Sequence, residues 1–480
     1  MKIIINNIGK INQAEILLNG ITIVAGENNT GKSTIGKTLF ALLHDMDSWE
    51  SKYYTKCASE LYSAIKRESE RLEAFCLSNT NATRRRTNRA NELVRRLANN
   101  KEFIALVEDS QILKNEKNDR QMETCQKVEK ELGVFCREYV SLYEKNYMDE
   151  IVKKNEDFFS DWIGEVRDIL KDELELDEVV LQAQALRSSF NQCFKSQYKT
   201  LFSDEDESVV HFVDEDKEVV FRISKGEEKL SNPIRTQRGV CFVESPRLFD
   251  EIGRGGFMVD PCAELKRLMV PNSFGSSIFF NSYTRNGTIY IPIKLNNLYV
   301  EETLPKEAKD IIDMLVEEMN GQAEYYVKEG IKFKERDVSV PFYSQNVSTG
   351  LKALAFLEYA IRVGAIQKND IFILDEPEIN LHPEWQVIYA RALVLLQKAY
   401  NLTILVTSHS PYFIRAIECF SDIYNSMEKL NVYLVEKSES KKCEISNVME
   451  SEYGLAELYE ILSAPFDALQ EEINEKYSSS

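Results

Sequence analysis

Histidine is scarce in this chain: His44, His211, His382 and His409 are the only four in 480 residues. So few leave no material for a histidine-rich nuclease centre. The nine cysteines are scattered and form no C-x-x-C pair, so neither a disulfide framework nor a zinc site is expected. Single dispersed thiols read as reduced, buried side chains of a cytoplasmic protein. No apolar run reaches the roughly 20 residues that cross a bilayer, so no membrane association is expected. The first residues, Met1 to Asn6, enter a strand-like pattern directly, so no secretory leader is expected. Excess positive charge is also missing. A formal charge of -19 repels phosphate backbones over most of the surface, which argues against broad coating by nucleic acid.

Proline is absent before Pro233, and the stretch from His44 to Phe202 holds only Gly133 and Gly164 as glycines. Apolar residues recur there at helical spacing, as in Val128, Leu132, Phe135, Tyr139 and Leu142. Long helices are expected, with a heptad pattern too irregular for a long coiled coil. Length alone suggests about three domains. The motif order instead suggests one head with a large insertion. Residues 1–43 form its first part, 44–202 a helical insertion, and 203–480 the remainder with a C-terminal helix at Tyr453 to Lys476.

What is present is a complete G-x-x-x-x-G-K-[ST] loop, Gly26-Glu27-Asn28-Asn29-Thr30-Gly31-Lys32-Ser33-Thr34. It follows an apolar strand, Ile21 to Val24, and precedes a helix, Ile35 to Leu43. That is the context a phosphate-binding loop needs. Small residues let successive N–H groups point at the phosphates. Lys32 reaches the terminal oxygens, and the Ser33 hydroxyl serves Mg²⁺. Asn19-Gly20 reads as a hairpin turn into the same strand.

Far downstream, Ile371-Phe372-Ile373-Leu374 ends at Asp375 and Glu376. A carboxylate pair at the end of a buried strand is placed where open α/β sheets present ligand-binding groups. Asp375 is the expected Mg²⁺ ligand, and Glu376 the base that orients and deprotonates water. His409 follows another strand, 33 residues beyond Glu376, and is expected to sense the γ-phosphate. A lone histidine at a strand end is usually structural; its spacing from Glu376 favours function. Ser348-Thr349-Gly350 lies 28 residues before Glu376. Ser348 could simply cap the next helix, but a capped N-terminus with glycine also suits a γ-phosphate arriving from a neighbour. Glu244 ends a strand between the two motif groups and is a further candidate. The cluster Arg84, Arg85, Arg86, Arg89, Arg95 and Arg96 reads equally as a solvated helical face or as a contact for phosphate or an acidic partner.

These motifs in this order resemble an ATP-binding-cassette head, in which the signature turn completes the ATP site of a second copy. The run Asp375 to Pro383, with Thr407-Ser408-His409-Ser410-Pro411, resembles the AAA15/AAA21-type ATPases, relatives of SMC, RecF and OLD heads. The implied fold is α/β: an ABC-type P-loop ATPase head with an antiparallel β-subdomain and a large α-helical insertion. In such heads a glutamine stands where Glu244 does, so a carboxylate there departs from the pattern. Overall size and the tail Glu460 to Leu469 are similar to PtuA-type ATPases of Septu anti-phage systems. Those work with a separate HNH nuclease, PtuB. AriA-type defence ATPases are not separated from them by these motifs. The resemblance implies ATP and Mg²⁺ as ligands, self-association through shared ATP sites, and control of a separate nuclease. DNA contact would run through that effector or the Arg84–Arg96 cluster. A RecF- or SMC-like ATPase that binds DNA directly is the alternative; a nucleotide-bound scaffold is the third.

Overall fold

Six consecutive buried residues, Ile21 to Gly26, form the strand around which the chain is organised. A strand covered on both faces and flanked by parallel neighbours is apolar throughout rather than alternating. The computed structural model describes residues 1–44, 46, 161, 178–199, 207–215, 217–224, 227–236, 238–244, 279–281, 288–290, 304–326, 330–437, 443–451 and 453–478. The chain divides into two compact units, 1–47 with 182–480, and 48–181. Almost all of the second lies outside the described residues, as do the Arg84–Arg96 cluster and the expected insertion helices.

Along the first unit, β1 (Lys2–Ile8), β2 (Ile11–Leu17) and β3 (Ile21–Gly26) lead into α1 (Lys32–Leu43). After α2 (Glu178–Phe194) come β4 (Ser208–Asp214), β5 (Lys217–Ser224), β6 (Glu227–Leu230) and β7 (Val240–Val243). The short strands β8 (Phe279–Asn281) and β9 (Thr288–Tyr290) pair with each other. Next are α3 (Lys306–Glu318), β10 (Gly321–Tyr326), β11 (Gly330–Glu335), β12 (Phe342–Tyr343) and α4 (Thr349–Arg362). The last third holds β13 (Ile371–Asp375), α5 (Pro383–Tyr400), β14 (Thr403–Ser408), α6 (Pro411–Ile423), β15 (Leu430–Lys437), β16 (Cys443–Asn447) and α7 (Leu455–Ser478).

Eleven strands make one sheet in the order β6-β5-β4-β1-β2-β16-β15-β3-β14-β13-β7. From β15 to β7 every pairing is parallel. The β1, β2, β4, β5 and β6 ladder is antiparallel, and a three-stranded sheet β10-β11-β12 stands apart from it. This is the expected α/β head with an antiparallel subdomain. The parallel half holds α1 through Phe40, 2 % exposed, whose ring lies 5.6 Å from that of Phe242 on β7. No described helix is long and apolar enough to cross a membrane.

The Asn19–Gly20 turn is not a hairpin. β16 and β15 lie between β2 and β3, so the strands that flank this turn are not neighbours. The burial patterns explain why: β2 alternates and suits the antiparallel ladder, whereas β3 is buried throughout and needs parallel β14 and β15 on its two edges. The actual hairpin joins β1 to β2. Gly9, at φ +57°, turns the chain so that Ile8 pairs with Ile11. Three antiparallel strands run from Gly321 to Tyr343. The latter part of α2 also packs in the first unit, although its sequence reads as insertion. Phe190 is fully buried, 5.4 Å from the Phe221 ring on β5. Buried Gln182 accepts a 2.7 Å hydrogen bond from the Ile234 N–H and donates one of 3.2 Å to its carbonyl.

Candidate nucleotide site

The phosphate loop is built by backbone conformations that few side chains allow. Gly31 caps α1 in the left-handed region, at φ +95°. At Gly26, a Cβ would stand 2.4 Å from the Val435 carbonyl of β15, so the end of β3 has no room for a side chain. Asn29 is also left-handed, at φ +66°, and its carbonyl accepts a 3.0 Å hydrogen bond from Lys10. Thr30 is buried, and its hydroxyl donates to the Glu27 carbonyl at 2.9 Å. The Thr34 N–H donates back to the Gly31 carbonyl at 3.0 Å, and Asn28 is exposed at the rim.

Lys32 is 3 % exposed and folds over the loop, donating to the carbonyls of Gly26 at 2.9 Å and Glu27 at 2.7 Å. Its Nζ also lies 3.5 Å from Glu376 Oε1. Burial lowers its pKa; Glu376, Asp375 and Glu378 pull it back up.

The carboxyl ends of the parallel strands meet beside this loop. The register aligns Asp375 of β13 with Thr407 of β14, and Thr407 with Val24 of β3. Asp375 Oδ1 accepts from the Thr407 hydroxyl at 2.5 Å. Burial pushes the Asp375 carboxyl up, while the Thr407 and Ser33 hydroxyls and the Lys37 cation hold it down. One carboxylate beside one hydroxyl suits a hard cation that takes its other ligands from phosphate oxygens and water. Among the described residues no group of three or more His, Cys, Asp or Glu side chains could hold a metal by itself. Ser33, whose hydroxyl bonds to the Asp375 carboxyl, and Asp375 fit Mg²⁺ held jointly with a nucleotide.

Glu376 occupies the left-handed region at φ +49°, unusual for a side chain with a Cβ. Its N–H is held by the Thr407 carbonyl at 3.0 Å and the Thr407 hydroxyl at 3.1 Å. Strain of this kind concentrates at functional positions. The side chain reaches between two groups, Lys32 Nζ at 3.5 Å and His409 Nδ1 at 3.4 Å. So the structure brings together Lys32, Asp375, Glu376 and His409, which the sequence separates by more than 340 residues at its extremes.

Two participants escape the sequence reading. Glu378 is 3 % exposed and accepts from the Ser408 hydroxyl at 2.6 Å and the His409 N–H at 3.1 Å. Burial raises its pKa, opposed by these hydrogen bonds. The signal was its place two residues beyond Glu376 on the same turn. Lys37 pairs with Glu244 at 2.7 Å across α1 and β7. Because Leu374 pairs with Val243, Glu244 stands at the strand end next to Asp375, exposed and engaged by that lysine.

The signature turn stands elsewhere. Ser348 caps α4, its Oγ accepting from the Leu351 N–H at 3.4 Å. Ser348, Thr349 and Gly350 line a cleft of about 540 Å³ with Asn380, His382, Glu384 and Trp385. No phosphate-loop residue lines it. Glycine at 350 reflects close approach: a Cβ there would lie 3.0 Å from the Asn380 carbonyl and 3.1 Å from the Trp385 ring.

Residues 277–415 match the family described as AAA domain, putative AbiEii toxin, Type IV TA system. Among solved structures, the SMC head bound to the C-winged helix domain of ScpA is 11 % identical, with a TM-score of 0.38, over 93 % of this chain and 96 % of that one. The SMC head domain from Thermotoga maritima is 10 % identical, with a TM-score of 0.35, over 93 % and 97 %. No curated protein matches the chain. The domain match and the phosphate-loop geometry together support a nucleotide-binding ATPase.

Proposed function

We propose that this chain hydrolyses ATP, engages a second copy across the nucleotide, and in doing so regulates a separate effector nuclease in anti-phage defence. One observation carries the reading: Lys32, Asp375, Glu376 and His409 converge on the phosphate loop, while Ser348, Thr349 and Gly350 line a cleft without any loop residue. A site split in this way is completed by another chain. The loop N–H groups and the α1 N-terminus bind the phosphates, with Gly26, Asn28, Asn29, Thr30, Gly31 and Thr34 shaping the cradle. Lys32 leaves the Gly26 and Glu27 carbonyls to neutralise the terminal phosphates. Ser33 and Asp375 hold Mg²⁺, which supplies charge neutralisation at the phosphate oxygens. Glu376 orients water and takes its proton, and His409 aligns the terminal phosphate. Ser348, Thr349 and Gly350 present a helix N-terminus to the partner's nucleotide. Glu244, bound to Lys37, sits beside Asp375 as a candidate for the outer water shell.

The effector reading is supported by the sequence resemblance and by the scarcity of histidine. An HNH nuclease is the expected partner, and any DNA contact runs through it or through the Arg84–Arg96 cluster. The test measures phosphate release by the purified chain with and without DNA, then co-purifies it with the product of the adjacent gene. ATP turnover indifferent to DNA, and nuclease activity only in the complex, are expected. Strong stimulation by DNA would favour the DNA-handling alternative. Mg²⁺-dependent cleavage by this chain alone would remove the need for an effector.

A further inference from the structure

Glu378 is almost fully buried, yet one of its carboxylate oxygens has no partner. Oε1 accepts from the Ser408 hydroxyl and the His409 N–H, whereas Oε2 is buried without a hydrogen bond. Close by, His409 Nδ1 is likewise buried without a hydrogen bond, 3.8 Å from Glu378 Oε1 and 3.4 Å from Glu376 Oε1. Buried polar atoms are rarely left unpaired, and the His409 imidazole nitrogen lies within 3.8 Å of the same Glu378 oxygen that holds the His409 N–H. The His409 side chain is 38 % exposed, so Nδ1 is its inward edge and the rest of the ring faces out.

We infer that Glu378 is the positioning residue of the nucleotide site: it fixes the Ser408–His409 turn and holds the imidazole by its inward edge so that the outer edge meets the terminal phosphate. This rests on the proposed role of His409. The hold is braced from behind. Ser408 Oγ accepts from the Ser410 N–H at 3.1 Å, Ser410 Oγ donates to Gln386 Oε1 at 2.8 Å, and Gln386 Nε2 donates to the Leu381 carbonyl at 3.2 Å. The Leu381 N–H in turn donates to the Glu378 carbonyl at 3.0 Å, so the chain of bonds closes on the turn that carries Glu378. A ring tethered at one nitrogen keeps the other in a fixed direction.

The experiment compares Glu378→Ala, Glu378→Gln, His409→Ala and the double variant Glu378→Ala/His409→Ala in steady-state ATP turnover. Glu378→Ala lowers kcat by about 10- to 100-fold with KM little changed, the loss expected from a misplaced group. The double variant is no slower than His409→Ala, because both changes remove one function. Glu378→Gln keeps an acceptor oxygen for Ser408 and for the His409 N–H, and recovers much of the rate. If His409→Ala turns over normally, the reading of the site fails and takes the inference with it. If His409→Ala is impaired but the Glu378→Ala loss multiplies with it, Glu378 acts elsewhere and the inference alone is overturned. Should Glu378→Ala fold poorly, ¹⁵N-edited spectra of the four histidines in Glu378→Gln decide: an unchanged His409 ring environment refutes the tether.

Discussion

Glu376→Gln is the sharpest probe of the site, because the structure separates what the carboxylate does from how its backbone is held. The left-handed conformation at Glu376 is secured by Thr407, whose carbonyl and hydroxyl both accept from the residue 376 N–H. None of that involves the side chain, so the amide takes the same place. Lys32 retains the Gly26 and Glu27 carbonyls at 2.9 and 2.7 Å, and loses its 3.5 Å contact to Glu376. What disappears is charge and basicity. Loss of a positioned general base costs about 10²- to 10⁴-fold in turnover, or roughly 3–5 kcal/mol of barrier. Removing a negative charge from an anion site acts the other way on binding, tightening ATP by about three- to tenfold. The expected signature is therefore slow turnover with retained or improved affinity. Phosphate release and titration with a fluorescent ATP analogue read the two quantities separately. Turnover within twofold of the parent would refute Glu376 as the base.

Lys32→Ala should abolish ATP binding in calorimetry, since the buried cation that closes the loop is gone; unchanged affinity would sink the phosphate-loop assignment. Ser348→Arg tests the split site without disturbing the packing under Gly350, because Ser348 is exposed. ATP-dependent dimerisation, read by light scattering, should be lost while ATP binding stays, and mixing with Lys32→Ala should restore some turnover; full dimerisation of Ser348→Arg would exclude the cleft from the contact. Burial raises the folded pKa values of Asp375 and Glu378, so their contribution to stability is greatest below the unfolded carboxylate range and is lost as pH rises through the raised values. Glu378→Gln removes one of these groups, so the unfolding temperature of the nucleotide-free variant should fall less than that of the parent between acidic and neutral pH; identical profiles would contradict the buried-charge account.

The motifs were legible because each is a local pattern: a glycine loop between strand and helix, or a carboxylate pair after four apolar residues. What joins them was less so. The Asn19–Gly20 dipeptide carries a strong hairpin signal, but pairing is decided by which strands can bury the edges of β3, and those lie beyond residue 400. Glu378 was hidden for a related reason. A glutamate in a polar-looking turn reads as exposed, and only the approach of Ser408 and His409 from another strand end makes it buried. The departure at Glu244 was visible, whereas its engagement by Lys37 depends on how α1 lies across β7. A carboxylate there already has a cation. The Gly350 environment likewise appears only when Asn380 and Trp385 are folded against it.

The placement of β3 also dictates when the ATP site can exist. Its two edges are closed by β14 and β15, and β15 begins about 400 residues after β3 ends. At a synthesis rate of about 5–20 residues per second, an apolar strand with open edges waits roughly 20–80 s for its neighbours. During that interval it is a template for mispairing with other strands. Folding of the nucleotide site is thus gated by synthesis of β15. A message truncated before residue 403 would leave β3 with neither of its neighbours, and cells making this protein would place early demand on chaperones that cover exposed strands.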